Sequence, residues 1–274
     1  MHCYFLGHGG PGSLLKGEDK ETIKYWSNLG RSMQNDKVKG VIFLSAHWYN
    51  FNYQANKTIH INVANKIIHD FGEFFKGIYD IKYSFPKPSL ESVDLLAKTI
   101  EMGLGVSVQK SERGLDHGVW IPCKYMFPDG NMQILQIQIP ETKDFDLLTK
   151  LGQSLEPLLN DNYALVCSGS VTHNLSKAFK DMGHLKVDSP PAPYAMKFKD
   201  ELFELLTKSV RLNGKKFMDA AMGIETFFEA HPTLDHFLPL LIFNGASSQS
   251  HGVIHKENDV WSFSHLSMCC FKSQ

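Results

Sequence analysis

Apolar residues fall along this chain in two rhythms. Unbroken runs at 3–6, 41–48 (VIFLSAHW) and 163–167 have the length and the β-prone residues of strands buried on both faces, and 132–139 alternates well enough for another. Between them the spacing is helical. Ile23, Trp26, Leu29 and Met33 share one face of a helix predicted over 18–33, Leu147, Leu148, Leu151 and Leu155 one over 144–159, and 194–210 has the same character. Ser89 reads as the N-cap of a helix through Met102, with Glu91 in its first turn. Shorter pieces complete the pattern: strands at 58–63 and 106–108, two helices in 215–229 broken at Gly223, an apolar helix opened by 231–240, a proline-rich loop at 183–193, and one or two closing strands in 253–271. The succession 3–6, 18–33, 41–48 makes a β-α-β unit, so the expected class is α/β. With 274 residues and no break in composition, one domain spanning 1–274 is expected.

The ends of the apolar runs carry the candidate chemistry. His47 closes 41–48, His8 lies in the glycine-rich turn Gly7-His8-Gly9-Gly10-Pro11-Gly12 after 3–6, and His173 follows 163–167. In an open α/β sheet the ligand crevice lies beyond the carboxyl ends of the strands, so side chains placed there face a site. His117, in a loop RGLDHGVW, and His236, in HPTLDHFLPL, also sit at element boundaries. These five of the 13 histidines are framed by glycine, serine or proline, whereas His2, His60, His184, His251, His255 and His265 are not. Neutral imidazole coordinates metals near pH 7, which makes a metal centre the economical explanation of several converging histidines. No compact motif such as H-E-x-x-H is present, and each histidine taken singly has an ordinary alternative as a loop brace.

Composition narrows the classes. A formal net charge of -1 leaves no basic surplus for nucleic acid or anionic lipid. No apolar stretch approaches the roughly 20 residues of a membrane helix, and no basic flank precedes the first apolar run, so a soluble, uncleaved, cytoplasmic protein is expected. Five cysteines without a C-x-x-C pair suit a reducing compartment, with Cys269 and Cys270 expected on opposite faces of a last strand. The chain lacks G-x-S-x-G, and its glycine-rich turn lacks the Lys and Ser/Thr of a phosphate loop, which disfavours serine-hydrolase and nucleotide-binding readings. Oligomeric state is left open by the pattern.

Six motifs in order, GHGGP, SAHW, IHDFG, GLDHGVW, SGSVTHNL and HPTLDHFLPL, resemble the DOPA-dioxygenase branch of the class III extradiol ring-cleavage dioxygenases. The resemblance runs from His8 to about Leu241. It implies a single α/β domain with a central mixed sheet flanked by helices and a metal pocket at the strand ends, holding one Fe(II). His8, His47 and His236 would be the metal ligands, with Asp235 a competitor for the third place. His173 would be the acid/base residue beside the metal, and His117 would line the oxygen or substrate side. Trp48 and His69 are candidates for the pocket wall, and Arg113 and Tyr194 for gripping the substrate tail. The implied partners are a small-molecule catechol, DOPA or a related dihydroxyphenyl compound, and O2. Three histidines would also suit Zn(II), which leaves a zinc protein of the same fold, hydrolytic or purely binding, as the alternative.

Overall fold

The computed structural model describes residues 1–50, 52–208, 212–249 and 253–273. Ten strands are present among them: β1 His2–Gly7, β2 Val41–Asn50, β3 Thr58–Asn62, β4 Ser107–Ser111, β5 Ile134–Pro140, β6 Ala164–Gly169, β7 Ile254–Glu257, β8 Trp261–Ser262, β9 Leu266–Ser267 and β10 Cys270–Ser273. Eight form one sheet in the order β4-β3-β5-β2-β6-β1-β10-β7, and β8 pairs with β9 apart from it. The central strands β5, β2, β6 and β1 are parallel, while β3 on β5 and β10 on β1 and β7 are antiparallel. This is a single α/β domain with a mixed sheet.

Both faces of the central strands are covered, which is why their sequences are apolar without interruption. On one face Cys3, Phe5, Ile42, Leu44, Leu165 and Cys167 join one core. On the other, Tyr4, Leu6, Val41, Phe43 and Val166 join a second. Cys269 belongs to the first core and Cys270 to the second, so they face opposite ways as expected, but Cys269 immediately precedes the last strand rather than lying in it. Helices Phe145–Ser154 and Leu238–Gln249 cover the first face and touch backbone to backbone: a side chain at Gly152 would meet the Ile242 carbonyl oxygen at 1.9 Å. Helices Lys20–Asn35 and His117–Met126 cover the second.

Several elements differ from the sequence expectation. The residues from His117 form a helix rather than a loop. Residues 117–123 and Met126 are buried and only Lys124 and Tyr125 reach the surface, so no broad polar face marks an amphipathic period. The helix expected over 144–159 breaks at Leu155, where Pro157 opens the next helix, Glu156–Asn160. The turn after β1 winds into a short helix, Pro11–Leu15, with proline at its start. The tail gives four short strands rather than one or two. The helix expected over 194–210 is seen as Pro193–Lys208, and its last expected residues, like His251, lie outside the described residues. No described helix is long and apolar enough to cross a membrane.

Candidate metal centre

Parallel pairing brings the ends of β1, β2 and β6 to one edge, with Gly7 opposite Gly169 and Ser45 opposite Ser168. His8 follows Gly7, and its backbone N–H continues the ladder to the Gly169 carbonyl at 3.2 Å. Its Nε2 stands 3.0 Å from Nε2 of His47. His117, the first residue of its helix, places its ring centroid 3.9 Å from that of His47 and 5.5 Å from that of His8. The loop after β6 and the segment before helix Leu238–Gln249 bring a second group. The His173 and His236 rings stack at 3.4 Å, and the His236 ring lies 5.1 Å from His8 and 4.9 Å from His47. Two sets of donors, His8 with His47 and His117, and His173 with Asp235 and His236, each lie close enough together to hold a metal ion.

The surroundings fix which nitrogens are free. The Ser168 hydroxyl donates to the Gly118 carbonyl at 2.6 Å, so its oxygen accepts from Nδ1–H of His8 at 2.9 Å, and the lone pair of His8 is left on Nε2. Asp235 takes Nδ1–H of His236 in the same way, leaving its Nε2 buried and without a partner. His117 has Nδ1 at 3.0 Å from Asp70 Oδ1, within ion-pair range though poorly aligned for a hydrogen bond, and its backbone N–H donates to that oxygen at 2.9 Å. The backbone of His47 is gripped on both sides: its N–H donates to Ser45 Oγ at 3.2 Å, and Arg113 Nη2 donates to its carbonyl at 2.9 Å. Buried Asp116 anchors the grip, accepting from Ser45 Oγ at 2.6 Å, Gln136 Nε2 at 2.5 Å and Arg113 Nη1 at 3.1 Å.

These donors fit a metal. Two imidazole nitrogens bound at about 2.1 Å and at right angles on one ion stand about 3.0 Å apart, the separation seen between His8 and His47. An orphaned buried nitrogen on His236 is the second mark, since such atoms are costly without a partner. Protonation does not compete near neutral pH. Burial, then the neighbouring imidazoles, push His8 and His236 well below the ordinary histidine value. Burial holds His47 at about 3 and His173 at about 4. For Asp70 burial alone would raise the pKa, but hydrogen bonding and charge from His117 outweigh it and hold the carboxyl at about 2.

Comparison with known proteins decides the family. Residues 2–270 match the model of the catalytic LigB subunit of aromatic ring-opening dioxygenase. The chain belongs to the LigB family. It is 31% identical over 249 residues to a 4,5-DOPA dioxygenase extradiol of Escherichia coli (strain K12), covering 90% of this chain and 85% of that protein. A protein of the same name from Beta vulgaris is 29% identical over 250 residues, covering 90% and 87%. The crystal structure of an uncharacterized protein from Escherichia coli K12 has the same fold, with a TM-score of 0.72 at 22% identity and 98% of both chains covered. This LigB-family chain is therefore an extradiol aromatic ring-opening dioxygenase, metal-dependent as its family is, with a small aromatic molecule and O2 as its reactants.

The histidines of the LigB-family chain line a cavity of about 700 Å³ together with Asp70, Phe71, Phe74, Leu175, Phe179, Met182, Phe263 and Leu266. Four residues singled out from the sequence are placed away from that lining. His69 donates Nε2–H to the Ile81 carbonyl at 3.1 Å and packs among Phe71, Tyr79 and Trp120, bracing a loop. Trp48 follows His47 on a strand, turns to the other side and is buried under the Arg113 guanidinium. The Tyr194 hydroxyl meets His265 Nδ1 at 3.0 Å, and Lys177 covers its ring. Arg113 likewise is turned inward to His47 and Asp116. Two groups that sequence reasoning passed over do face the cavity. Asp70 sits in IHDFG beside His69, and its place in that motif was its only signal. Leu175, Ala178, Phe179 and Met182 recur at helical spacing after the N-cap Asn174, a signal that was there to be read.

Proposed function

We propose that this enzyme is a mononuclear Fe(II)-dependent extradiol dioxygenase acting on a catechol, DOPA or a related dihydroxyphenyl compound, in the cytoplasm. One observation carries the metal reading: the partnerless buried Nε2 of His236 shares a cavity with the facing Nε2 atoms of His8 and His47, three neutral donors whose backbones or second nitrogens are tied back. The names of the two sequence relatives support the substrate. Five free, buried cysteines suit a reducing compartment.

His8, His47 and His236 hold the ion. Bound Fe(II) supplies positions for both catechol oxygens and for O2 and a path for electrons between them. In the net reaction the ring bond beside a hydroxyl breaks and both atoms of O2 enter the product. The catechol supplies all the electrons, so no further reductant is consumed. A ring nitrogen of His173, neutral near pH 7, takes a phenolic proton and returns it as the ring opens. Its stacking on His236 keeps that nitrogen beside the metal donors. His117, held through its backbone N–H by Asp70, lines the oxygen side, and Phe71 against its ring excludes water.

The zinc alternative is favoured by one observation, the three imidazoles of His8, His47 and His117 without a carboxylate, a donor set known from catalytic zinc sites. Oxygen uptake by anaerobically Fe(II)-reconstituted protein on a panel of catechols, with absorbance followed for a ring-opened product, separates the two. Uptake that needs iron, is absent with zinc and is lost in His173→Ala is the expected result. One bound metal per chain with no uptake on any catechol would sink the dioxygenase mechanism.

A further inference from the structure

The cavity is larger and more apolar than a bare dihydroxybenzene requires. Cavities of about 300–1,000 Å³ enclose drug-sized ligands, and this one, at about 700 Å³, lies well inside that range. Helix Leu175–Asp181 begins two residues after His173. It turns Leu175, Ala178 and Phe179, and just beyond its end Met182, toward the cavity. The spacing i, i+3, i+4, i+7 makes one continuous apolar face, aimed into the site rather than into a core. Leu175 is 40%, Phe179 54% and Met182 38% exposed, and Phe74, also lining the cavity, is 44% exposed. Large apolar side chains held in water and gathered at one mouth mark a surface made for an apolar ligand.

That face is registered to the chemistry. The Asn174 side chain caps the helix by accepting from Lys177 N at 3.0 Å and donates Nδ2–H to the Glu229 carbonyl at 2.7 Å. The His173 N–H donates to the Ala230 carbonyl at 2.8 Å. The stripe and His173 are thus bolted together to the segment that leads to His236. A charged tail finds less. Among the lining residues Lys16 is the only lysine or arginine, exposed and lying over the Phe75 ring at 5.3 Å. The carboxylates of Asp70 and Asp235 are committed to histidines, which leaves exposed Glu18.

We infer that the preferred substrates are catechols bearing an extended apolar substituent, an alkyl chain or a second aromatic ring, which lies along Leu175, Phe179 and Met182 with Phe74 across from it. This rests on the ring-cleavage reading and narrows its substrate class, placing such catechols ahead of the zwitterionic DOPA.

The test compares catechol, DOPA, 4-methylcatechol, 4-butylcatechol and 4-phenylcatechol. Ring opening by the Fe(II)-loaded enzyme gives kcat/KM, and calorimetry with zinc-loaded protein gives affinity independently of turnover. Both rise roughly three- to fourfold per added methylene from methyl to butyl, and 4-phenylcatechol exceeds DOPA at least about tenfold. Phe179→Ser and Leu175→Ser, at exposed positions where folding is spared, bring the ratio of butylcatechol to methylcatechol toward one in both measurements. Ring opening with a flat or reversed series, or with DOPA best, overturns the inference and leaves the ring-cleavage reading standing. Graded binding without any ring opening supports the apolar subsite and overturns the catalytic reading alone. A flat binding series without ring opening overturns both.

Discussion

The cavity has two halves that use the same side chain under different constraints. His8 and His47 extend from β1 and β2, parallel strands that flank β6 in a ladder whose main work is to build the two cores. His173 and His236 stand on irregular backbone, tied by single bonds such as Ser170 N–H to the His236 carbonyl at 3.1 Å and His173 N–H to the Ala230 carbonyl. The first half inherits its precision from the sheet. The second depends on contacts made locally, and the apolar face of helix Leu175–Asp181 is tied to it through Asn174 and His173. The strand half suits two donors that must hold an ion in one geometry; the locally tied half adds the third donor, His236, and suits proton transfer and a variable substituent.

The sharpest way to break this comparison lies within the second half. His47→Ala and His236→Ala should each lower metal affinity by more than about a hundredfold, above the 10- to 100-fold typical of losing an outer partner. His173→Ala, although its ring stacks on His236, should keep the metal and lose about 10²–10⁴ in kcat. Metal analysis after dialysis, alongside oxygen uptake, reads both. If His173→Ala releases the metal as readily as His236→Ala, the division of labour proposed inside this half is wrong. Next in size is Ser168→Ala, which frees His8 Nδ1 and unfixes its tautomer. Metal affinity should fall about 10- to 100-fold with little change in fold, as judged by competition with a chelator.

Acid should weaken both halves together. His47 at about 3, His173 at about 4 and His231 at about 3, the last fully buried and donating Nε2–H to the Val171 carbonyl, titrate near 6.5 when unfolded. Between pH 6.5 and about 3 the unfolded chain binds more protons than the metal-free native one. Stability is therefore complete above about 6.5 and falls as pH falls, by up to about 1.4 kcal/mol per pH unit for each such group. Denaturant melts of metal-free protein from pH 7 to 4.5 check it, and a flat midpoint would contradict the burial argument. The smallest effect is expected from Gly118→Ala. Its new methyl would sit 2.6 Å from Ser45 Oγ, 3.2 Å from His47 Cδ2 and 3.3 Å from Asp116 Oδ1, pressing on His47 and on the residues that grip its backbone. About 1–3 kcal/mol of stability should be lost, with metal affinity shifted more than the response to catechol substituents.

The same contrast governs what the sequence discloses. His8, His47 and His173 are legible as neighbours because each follows a β-prone run, and parallel strands gather their carboxyl ends. His117 is legible as a framed residue but not as a helix start, since residues 117–123 are all buried and show no polar face to give the period away. The closeness of His236 depends on the Ser170 and Asp235 bonds, which no spacing encodes, and only the family motifs point to it. Trp48 and Tyr194 were attractive for their chemistry alone. Strand alternation sends Trp48 away from the site, and the pairing of Tyr194 with His265, 71 residues distant, is a tertiary fact. Helix Leu175–Asp181 was open to pattern reading and was overshadowed by the histidine before it.

The placement of β1 between β6 and β10 bears on how the enzyme is made. Synthesis delivers His8 first, yet one neighbour of its strand ends at Gly169 and the other spans Cys270–Ser273. The strand that carries His8 is therefore completed by two segments far along the chain, β6 on one edge and β10 on the other. Contacts so distant along the chain slow folding and expose unpaired edges to neighbours. A chain cut before Cys270 would hold every histidine of the cavity and still lack the strand that pairs with the second edge of β1, so the donors can all be present before the sheet that aligns them is complete.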